Sequence, residues 1–117
     1  MFRKILKSKI HRATVTEANL EYEGSITIDE GLMEAAGMAP FECLRIANLR
    51  NGERFETYAI PGERGSGVIC INGAAAHKAG VGDLIIIFQH IYVDAQDLEQ
   101  HHPTLVYVDG SNRIVQK

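Results

Sequence analysis

The sequence contains no tryptophan, only three prolines and only two cysteines among 117 residues. Two thiols cannot build a disulfide framework, and Cys43 and Cys70 stand too far apart for a short metal-binding spacing. They read as packed thiols of a reduced, cytoplasmic protein. Charge of one sign is also lacking. The net charge of -3 gives no global basic face, which argues against nucleic acid as a partner. The longest apolar run, Leu84 to Phe88, is far short of the roughly 20 residues that span a bilayer, so no membrane segment and no secretory leader is expected. The histidines, His11, His77, His90, His101 and His102, form no metal-ligand pattern, and no metal is expected.

What is there is a chain 45% apolar, enough to bury a core, of a length that suits one domain over residues 1–117. The basic first segment alternates from Ser8, with Ile10, Arg12, Thr14 and Thr16 on one side and Lys9, His11, Ala13 and Val15 on the other. That period of two predicts a strand. Glu17 to Leu20 reads as a turn. Ser25 opens a strand that runs to Asp29, Asp29 caps a short helix over 30–36, and Gly37 ends it. Phe41 to Leu49 and Arg54 to Ile60 read as strands around Asn51-Gly52, a pair suited to a type I′ hairpin. Pro61-Gly62 is expected to break the second, and Glu63 to Gly67 forms a glycine-rich loop. Strands follow at Val68 to Ile71, Leu84 to Phe88 (continuing or renewed through Val93), Leu105 to Val108 and Arg113 to Val115. One or two helical turns fit Asp94 to Gln100, and Asp109 to Asn112 reads as a turn. Many short strands with scraps of helix predict a small closed β-barrel.

One dipeptide carries unusual chemistry. In Tyr22-Glu23-Gly24-Ser25, the serine hydroxyl can attack the carbonyl before it and form an ester. Elimination from that ester leaves dehydroalanine, and hydrolysis leaves a pyruvoyl group at a new N-terminus. Glycine upstream has no Cβ to block the attack. Such a bond needs strain and a donor for the oxyanion.

Several motifs stand in order: Lys9-Ile10-His11-Arg12, Tyr22-Glu23-Gly24-Ser25, Asn51-Gly52-Glu53-Arg54-Phe55 leading to Thr57-Tyr58-Ala59-Ile60, Glu63-Arg64-Gly65-Ser66, and Asn72-Gly73-Ala74-Ala75-Ala76, with Val81-Gly82-Asp83 before an isoleucine-rich strand. Together they resemble the bacterial aspartate 1-decarboxylases, the pyruvoyl-dependent enzymes that make β-alanine for pantothenate and coenzyme A. The resemblance runs from the N-terminus to about Val108. It implies a six-stranded double-psi β-barrel and a homotetramer with active sites at subunit interfaces. It also implies self-cleavage between Gly24 and Ser25 into residues 1–24 and 25–117.

By the same resemblance the substrate is L-aspartate, and the cofactor is a pyruvoyl group made from Ser25, with no metal and no pyridoxal phosphate. The substrate amine condenses with the ketone, which serves as the electron sink for decarboxylation. Lys9 and Arg54 hold the two substrate carboxylates; the planar fork of Arg54 suits a bidentate grip. Tyr58 returns a proton to carbon, and Thr57 holds the oxyanion formed when Ser25 attacks Gly24. Regular alternation puts Thr57 and Tyr58 on opposite faces of their strand, which requires a bend or a strand shared by two subunits. Asn72 hydrogen-bonds the intermediate, the Gly73-Ala74-Ala75 backbone forms a close wall, and His11 and Tyr22 line the pocket.

The sequence departs from the family in places. Ala47 stands where members often carry tryptophan, and Lys78 where others have a small or thiol residue. The chain stops soon after Val108, short of the tail some members carry. Some enterobacterial members need a maturation partner, so such a factor is a further expectation. Two rivals remain: a pyruvoyl decarboxylase of another acidic amino acid, and a non-enzymatic β-barrel binding or regulatory module, which the basic first strand would suit.

Overall fold

The computed structural model describes residues 1–116 of the chain. The fold is mainly β. Nine strands follow in chain order: β1 (Phe2–Thr14), β2 (Glu17–Asn19), β3 (Ser25–Asp29), β4 (Cys43–Asn48), β5 (Arg54–Gly62), β6 (Ile69–Asn72), β7 (Leu84–Asp94), β8 (Thr104–Val108) and β9 (Ile114–Val115). Among the described residues the one α-helix, α1 (Glu30–Ala36), joins β3 to β4, and 3₁₀ turns cover Gly73–His77 and Ala95–Gln100. Hydrogen bonding orders the strands β2-β6-β3-β5-β4-β7-β1-β8-β9. Among the described residues this order ends on two edges, β2 and β9, so the barrel expected from the sequence is not closed by strand pairing. The chain leaving β1 does bridge distant strands. Val15 N–H donates to the Asp83 carbonyl and Thr16 N–H to the Ile69 carbonyl, linking the ends of β7 and β6.

The core is a layer of isoleucines set by period-two patterning. Ile26 and Ile28 on β3, Ile69 and Ile71 on β6, Ile85 and Ile87 on β7, Ile46 on β4 and Ile10 on β1 are fully buried. Each such side chain contributes about 1.5–3 kcal/mol on leaving water. Gln89 continues the inward row of β7 and is also fully buried. Its amide is satisfied: Ser8 Oγ donates to its Oε1 at 2.6 Å, and its Nε2 donates to the Gly37 carbonyl at 2.9 Å and to the Glu42 carboxylate. A buried amide is tolerated only with such partners.

The helix begins and ends where its sequence signals stand. Asp29 accepts from Gly31 N–H at the N-cap, and Gly37 takes a left-handed φ of 73° at the C-cap. The Asp29 carboxylate also accepts from Gly65 and Gly67 N–H, tying the glycine-rich loop to the helix start. Burial pulls this carboxyl's pKa up, but the N–H donors of Gly67, Gly65 and Gly31 together outweigh burial and hold it below the usual value.

Four expectations need correction. Alternation on β1 fails at Arg12, which takes a φ of 64° at a break in the pairing with β7. The bulge moves the buried side from Ser8 and Ile10 to Ala13 and Val15. Glu17–Asn19 is not a turn but a strand, parallel to Cys70–Asn72; the turn begins at Leu20. Asn51-Gly52 does not form a type I′ turn, because only Gly52 has positive φ, 73°. The loop is longer, closed by Gly52 N–H on the Asn48 carbonyl and Asn48 N–H on that of Glu53. Pro61-Gly62 does not break β5, which runs on beside Ile28 and Asp29. The pairing of β4 with β5 stops at Tyr58, so the missing N–H of Pro61 falls on an uncovered side. The strand from Leu84, expected either to continue or to be renewed after Phe88, continues as one element through Asp94.

Candidate active site

Pairing of β3 with β6 puts Ser25 opposite Asn72 and Thr27 opposite Cys70. Ile26, Ile28, Ile69 and Ile71 point into the core, so Ser25, Thr27, Cys70 and Asn72 share the other face. Burial continues there: Ser25 is 0%, Asn72 3% and Cys70 7% exposed. Three buried polar side chains and the half-buried Thr27 thus form one block.

Hydrogen bonds connect the block. Asn72 Nδ2 donates to Ser25 Oγ at 3.0 Å and to Thr27 Oγ1 at 3.1 Å. Cys70 Sγ donates to Asn72 Oδ1 at 3.2 Å, and Ser25 Oγ donates to the Glu23 carbonyl at 3.2 Å. Burial first, and the neighbouring Glu17 second, push the Cys70 thiol above its usual pKa, so it remains an S–H donor.

The backbone beside Ser25 is tightly approached. Gly73 takes a φ of 74°, and a Cβ added there would lie 2.7 Å from both the Cα and the N of Gly24. Only glycine admits that geometry without displacing the chain just before Ser25. The 3₁₀ turn at Gly73–His77 carries Ala74 and Ala75 onward from this contact.

Tyr58 belongs to the same face by register. Ile26 pairs with Ala59 in the parallel β3–β5 ladder, so one residue back Tyr58 stands level with Ser25. Its ring lies 6.3 Å from that of Phe41. Thr57 pairs with Leu44, a core residue, and faces the other side of β5. No bend reconciles it with Tyr58 within one chain. Tyr22 sits in the turn before Ser25, 54% exposed.

The two cations lie elsewhere. Arg54 is exposed on β5, four residues before Tyr58 and so about 13 Å along the strand. Its guanidinium stands 5.9 Å from the centre of the Phe88 ring. Lys9 pairs with the same Phe88, which pairs in turn with Arg45 and so with Glu56. That row places Lys9 three strand spacings from Glu56, about 14 Å, on the side of β5 away from β3. Lys9 and Arg54 therefore share one patch, and Ser25, Asn72 and Tyr58 another. His11 pairs with Tyr107 on β8, their rings 5.7 Å apart edge to face, and belongs to neither patch. Ala47 pairs with Arg54, and Lys78 Nζ lies 3.7 Å from the Glu53 carboxylate in the hairpin loop.

Sequence reasoning missed Thr27, Cys70 and Phe88. A signal for the first two was present. Ser-Ile-Thr-Ile and Cys-Ile-Asn alternate small polar residues with isoleucine, which marks a polar face rather than a strand buried alike on both sides. Among the described residues no helix is long and apolar enough to cross a membrane.

Comparison with known proteins meets this geometry from another side. The family profile for aspartate decarboxylase matches residues 1–115. The chain is 59% identical over 114 residues to the aspartate 1-decarboxylase of Syntrophus aciditrophicus, covering 97% of this chain and 98% of that one. It is 58% identical over 115 residues to that of Caldicellulosiruptor saccharolyticus, covering 98% and 90%. To that of Neisseria meningitidis serogroup C it is 54% identical over 114 residues, covering 97% and 90%. With similarity of this depth along nearly its whole length, the chain belongs to the aspartate decarboxylase family.

Proposed function

We propose that this chain is a proenzyme that cleaves itself between Gly24 and Ser25 and then decarboxylates L-aspartate to β-alanine and carbon dioxide, for pantothenate and coenzyme A synthesis. One observation carries the reading: a fully buried serine hydroxyl, held by the Asn72 amide, directly follows a glycine against which the Gly73 backbone is pressed. In cleavage, Ser25 Oγ bonds to the Gly24 carbonyl carbon and the Gly24–Ser25 C–N bond breaks, giving an ester and a free amine. Elimination breaks the Cβ–Oγ bond, leaving Gly24 as a carboxylate and residue 25 as dehydroalanine. Water then replaces nitrogen, which leaves as ammonia, and a pyruvoyl group heads residues 25–117.

The residues present fit that group. It would stand where Ser25 now stands, beside the Asn72 amide and level with the Tyr58 phenol. When formed, it supplies the electron sink that loss of carbon dioxide needs. The chain's own residues do the rest. Asn72 Nδ2 is a donor aimed at the position of the Ser25 oxygen, Tyr58 holds a proton on the same face, and the buried walls exclude water, which strengthens each interaction. Arg54 and Lys9 grip the two carboxylates of aspartate. The firmer grip belongs on the carboxylate that stays, because holding the departing one would stabilise the ground state.

The cations lie too far along the sheet from Ser25 to serve it within one chain, so the complete site is assigned to a homotetramer in which one subunit brings Lys9 and Arg54 to the Ser25 patch of the next. Thr57, on the opposite face of β5, is given no contact with Ser25 of its own chain. The exposed apolar side chains of Phe2, Phe41 and Tyr92 suit burial in such contacts. Both cysteines are free, which suits the cytoplasm.

The test is intact mass with product analysis. Purified protein yields two chains, residues 1–24 and 25–117, the larger opening with a ketone, and releases β-alanine from aspartate. An unsplit chain after prolonged warm incubation, with and without lysate as a source of a maturation factor, overturns the proposal. A split chain that prefers glutamate changes the substrate and keeps the chemistry.

A further inference from the structure

Maturation removes the very atom that Asn72 holds. The Ser25 oxygen leaves with Gly24, so a partner of the Asn72 amide is lost just as the amide is needed. Asn72 has two others. Its Nδ2 donates to Thr27 Oγ1 at 3.1 Å, and its Oδ1 accepts from Cys70 Sγ at 3.2 Å. Thr27 and Cys70 are paired neighbours on β3 and β6, each bonded to a different end of the amide. Resting on the function proposed above, we propose that Thr27 and Cys70 form a clamp that fixes the Asn72 amide, NH₂ toward residue 25, through and after the loss of the serine oxygen. They are positioning residues and touch no reacting atom.

The orientation follows from donors and acceptors. The Ser25 hydroxyl spends its proton on the Glu23 carbonyl, so it can only accept from Asn72. Sulfur is a weak acceptor, and a thiol facing an amide is best satisfied by the carbonyl end. Reversal would set an NH₂ against sulfur and leave the carbonyl oxygen facing residue 25, where it repels a developing negative charge. The threonine rotamer is held as well. Gly62 pairs with Asp29, diagonal to Thr27, and a Cβ added at Gly62 would press on Val68 Cγ1 and lie 2.9 Å from Thr27 Cγ2. The missing side chain at Gly62 leaves room for the methyls of Val68 and Thr27, and the threonine hydroxyl faces Asn72.

The clamp separates hydroxyl from shape. Thr27→Val keeps the branched shape and loses the hydroxyl; Thr27→Ser keeps the hydroxyl and loses a methyl. Both chains split to completion, because Ser25 still holds the amide before cleavage. In the split enzyme, kcat falls roughly three- to tenfold in Thr27→Val, the range of one neutral hydrogen bond, with KM little changed, and stays near wild type in Thr27→Ser. Cys70→Ala and Cys70→Ser divide in the same way. A readout independent of turnover is the side-chain amide of Asn72 by nitrogen-15 NMR in the Ser25→Ala chain, which lacks the serine oxygen. Its two N–H signals stay resolved and slow to exchange there, and merge toward solvent exchange when Thr27→Val is added.

Four outcomes overturn the clamp: the reverse ranking at position 27, wild-type kcat in a split Thr27→Val/Cys70→Ala enzyme, a stably folded Thr27→Val chain that stays unsplit, or Asn72 signals indifferent to Thr27→Val. A wild-type chain that fails to split or to release β-alanine overturns the function itself, and the same gels and assays tell the two failures apart.

Discussion

The Ser25 patch and the Lys9–Arg54 patch meet on β5, which carries both Tyr58 and Arg54, and are built by opposite rules. The side chains of Ser25, Thr27, Cys70 and Asn72 carry no charge, are buried or half-buried, and are bonded to one another within 3.2 Å. Lys9 and Arg54 are cationic, the first half-buried and the second exposed, and among the described residues neither forms an ion pair within the chain. The phenyl ring of Phe88 is the shared neighbour that sets their spacing. The difference teaches where each task is completed. In the proposed cleavage both the nucleophile and the carbonyl it attacks belong to one chain, and that chain already holds the Ser25 hydroxyl in place. Recognition of a dianion needs bare charge, which stays hydrated until another surface covers it.

The sharpest break is Ser25→Ala. It removes the nucleophile of cleavage and the source of the ketone together, so no split is seen by mass and aspartate decarboxylation falls to background. The Lys9–Arg54 patch is untouched, and isothermal titration with aspartate still detects weak binding. Full-speed β-alanine formation by this variant would remove the Ser25 patch from the chemistry.

Next in size is Arg54→Lys, which keeps charge and loses the fork. Charge-assisted hydrogen bonds contribute about 1.5–3 kcal/mol, so kcat/KM for aspartate falls roughly 10- to 100-fold in steady-state assays. Cleavage at Gly24–Ser25 proceeds at the normal rate. A variant slow to split would show that the two patches are coupled within the chain.

A third region contrasts with both because it is charged and buried at once. Asp83, 8% exposed, accepts from Arg50 Nε at 2.7 Å, Asn48 Nδ2 at 2.8 Å and Gly80 N–H at 2.9 Å, pinning the turn before β7 to the hairpin loop. The Arg50 hydrogen bond, then the Gly80 N–H, bring its pKa from 3.8 down to about 2. A depressed carboxyl stabilises the fold fully above its unfolded value and loses that contribution as protons bind. Stability therefore drops by about 2 kcal/mol as pH falls from near 4 to near 2. Denaturant midpoints across that window check it, and Asp83→Asn flattens this part of the profile. The neutral Ser25 patch contributes nothing to the slope.

What could be read from the sequence follows the reach of each signal. The helix over 30–36 was legible because its cap, Asp29, and its stop, Gly37, are adjacent in the chain. The strand opening at Ser25 was legible for the same local reason. The bulge at Arg12 was not, since it is set by the register between β1 and β7, partners more than seventy residues apart. Pro61 inside β5 was not, because the neighbour that would forbid it stops short of it. At the site, Ser25, Tyr58 and Asn72 came from family motifs and the structure sets them on one face. Thr27 and Cys70 carry no motif, and their role exists only once β3 and β6 are paired.

The smallest effect separates the two patches most directly. Salt shortens the reach of exposed charges, from a Debye length of about 10 Å at 0.1 M to about 3 Å at 1 M. Aspartate must find Lys9 and Arg54 through solvent, so KM rises a few-fold as salt is raised across that range. In the proposed cleavage the buried Ser25 hydroxyl attacks a carbonyl of its own chain, with no free ion involved. The first-order rate of splitting, followed by mass on freshly purified precursor, therefore stays constant over the same range. If the splitting rate fell in step with binding, a mobile charge would have to act at Gly24–Ser25, and the division between a finished neutral patch and an unfinished cationic one would not hold.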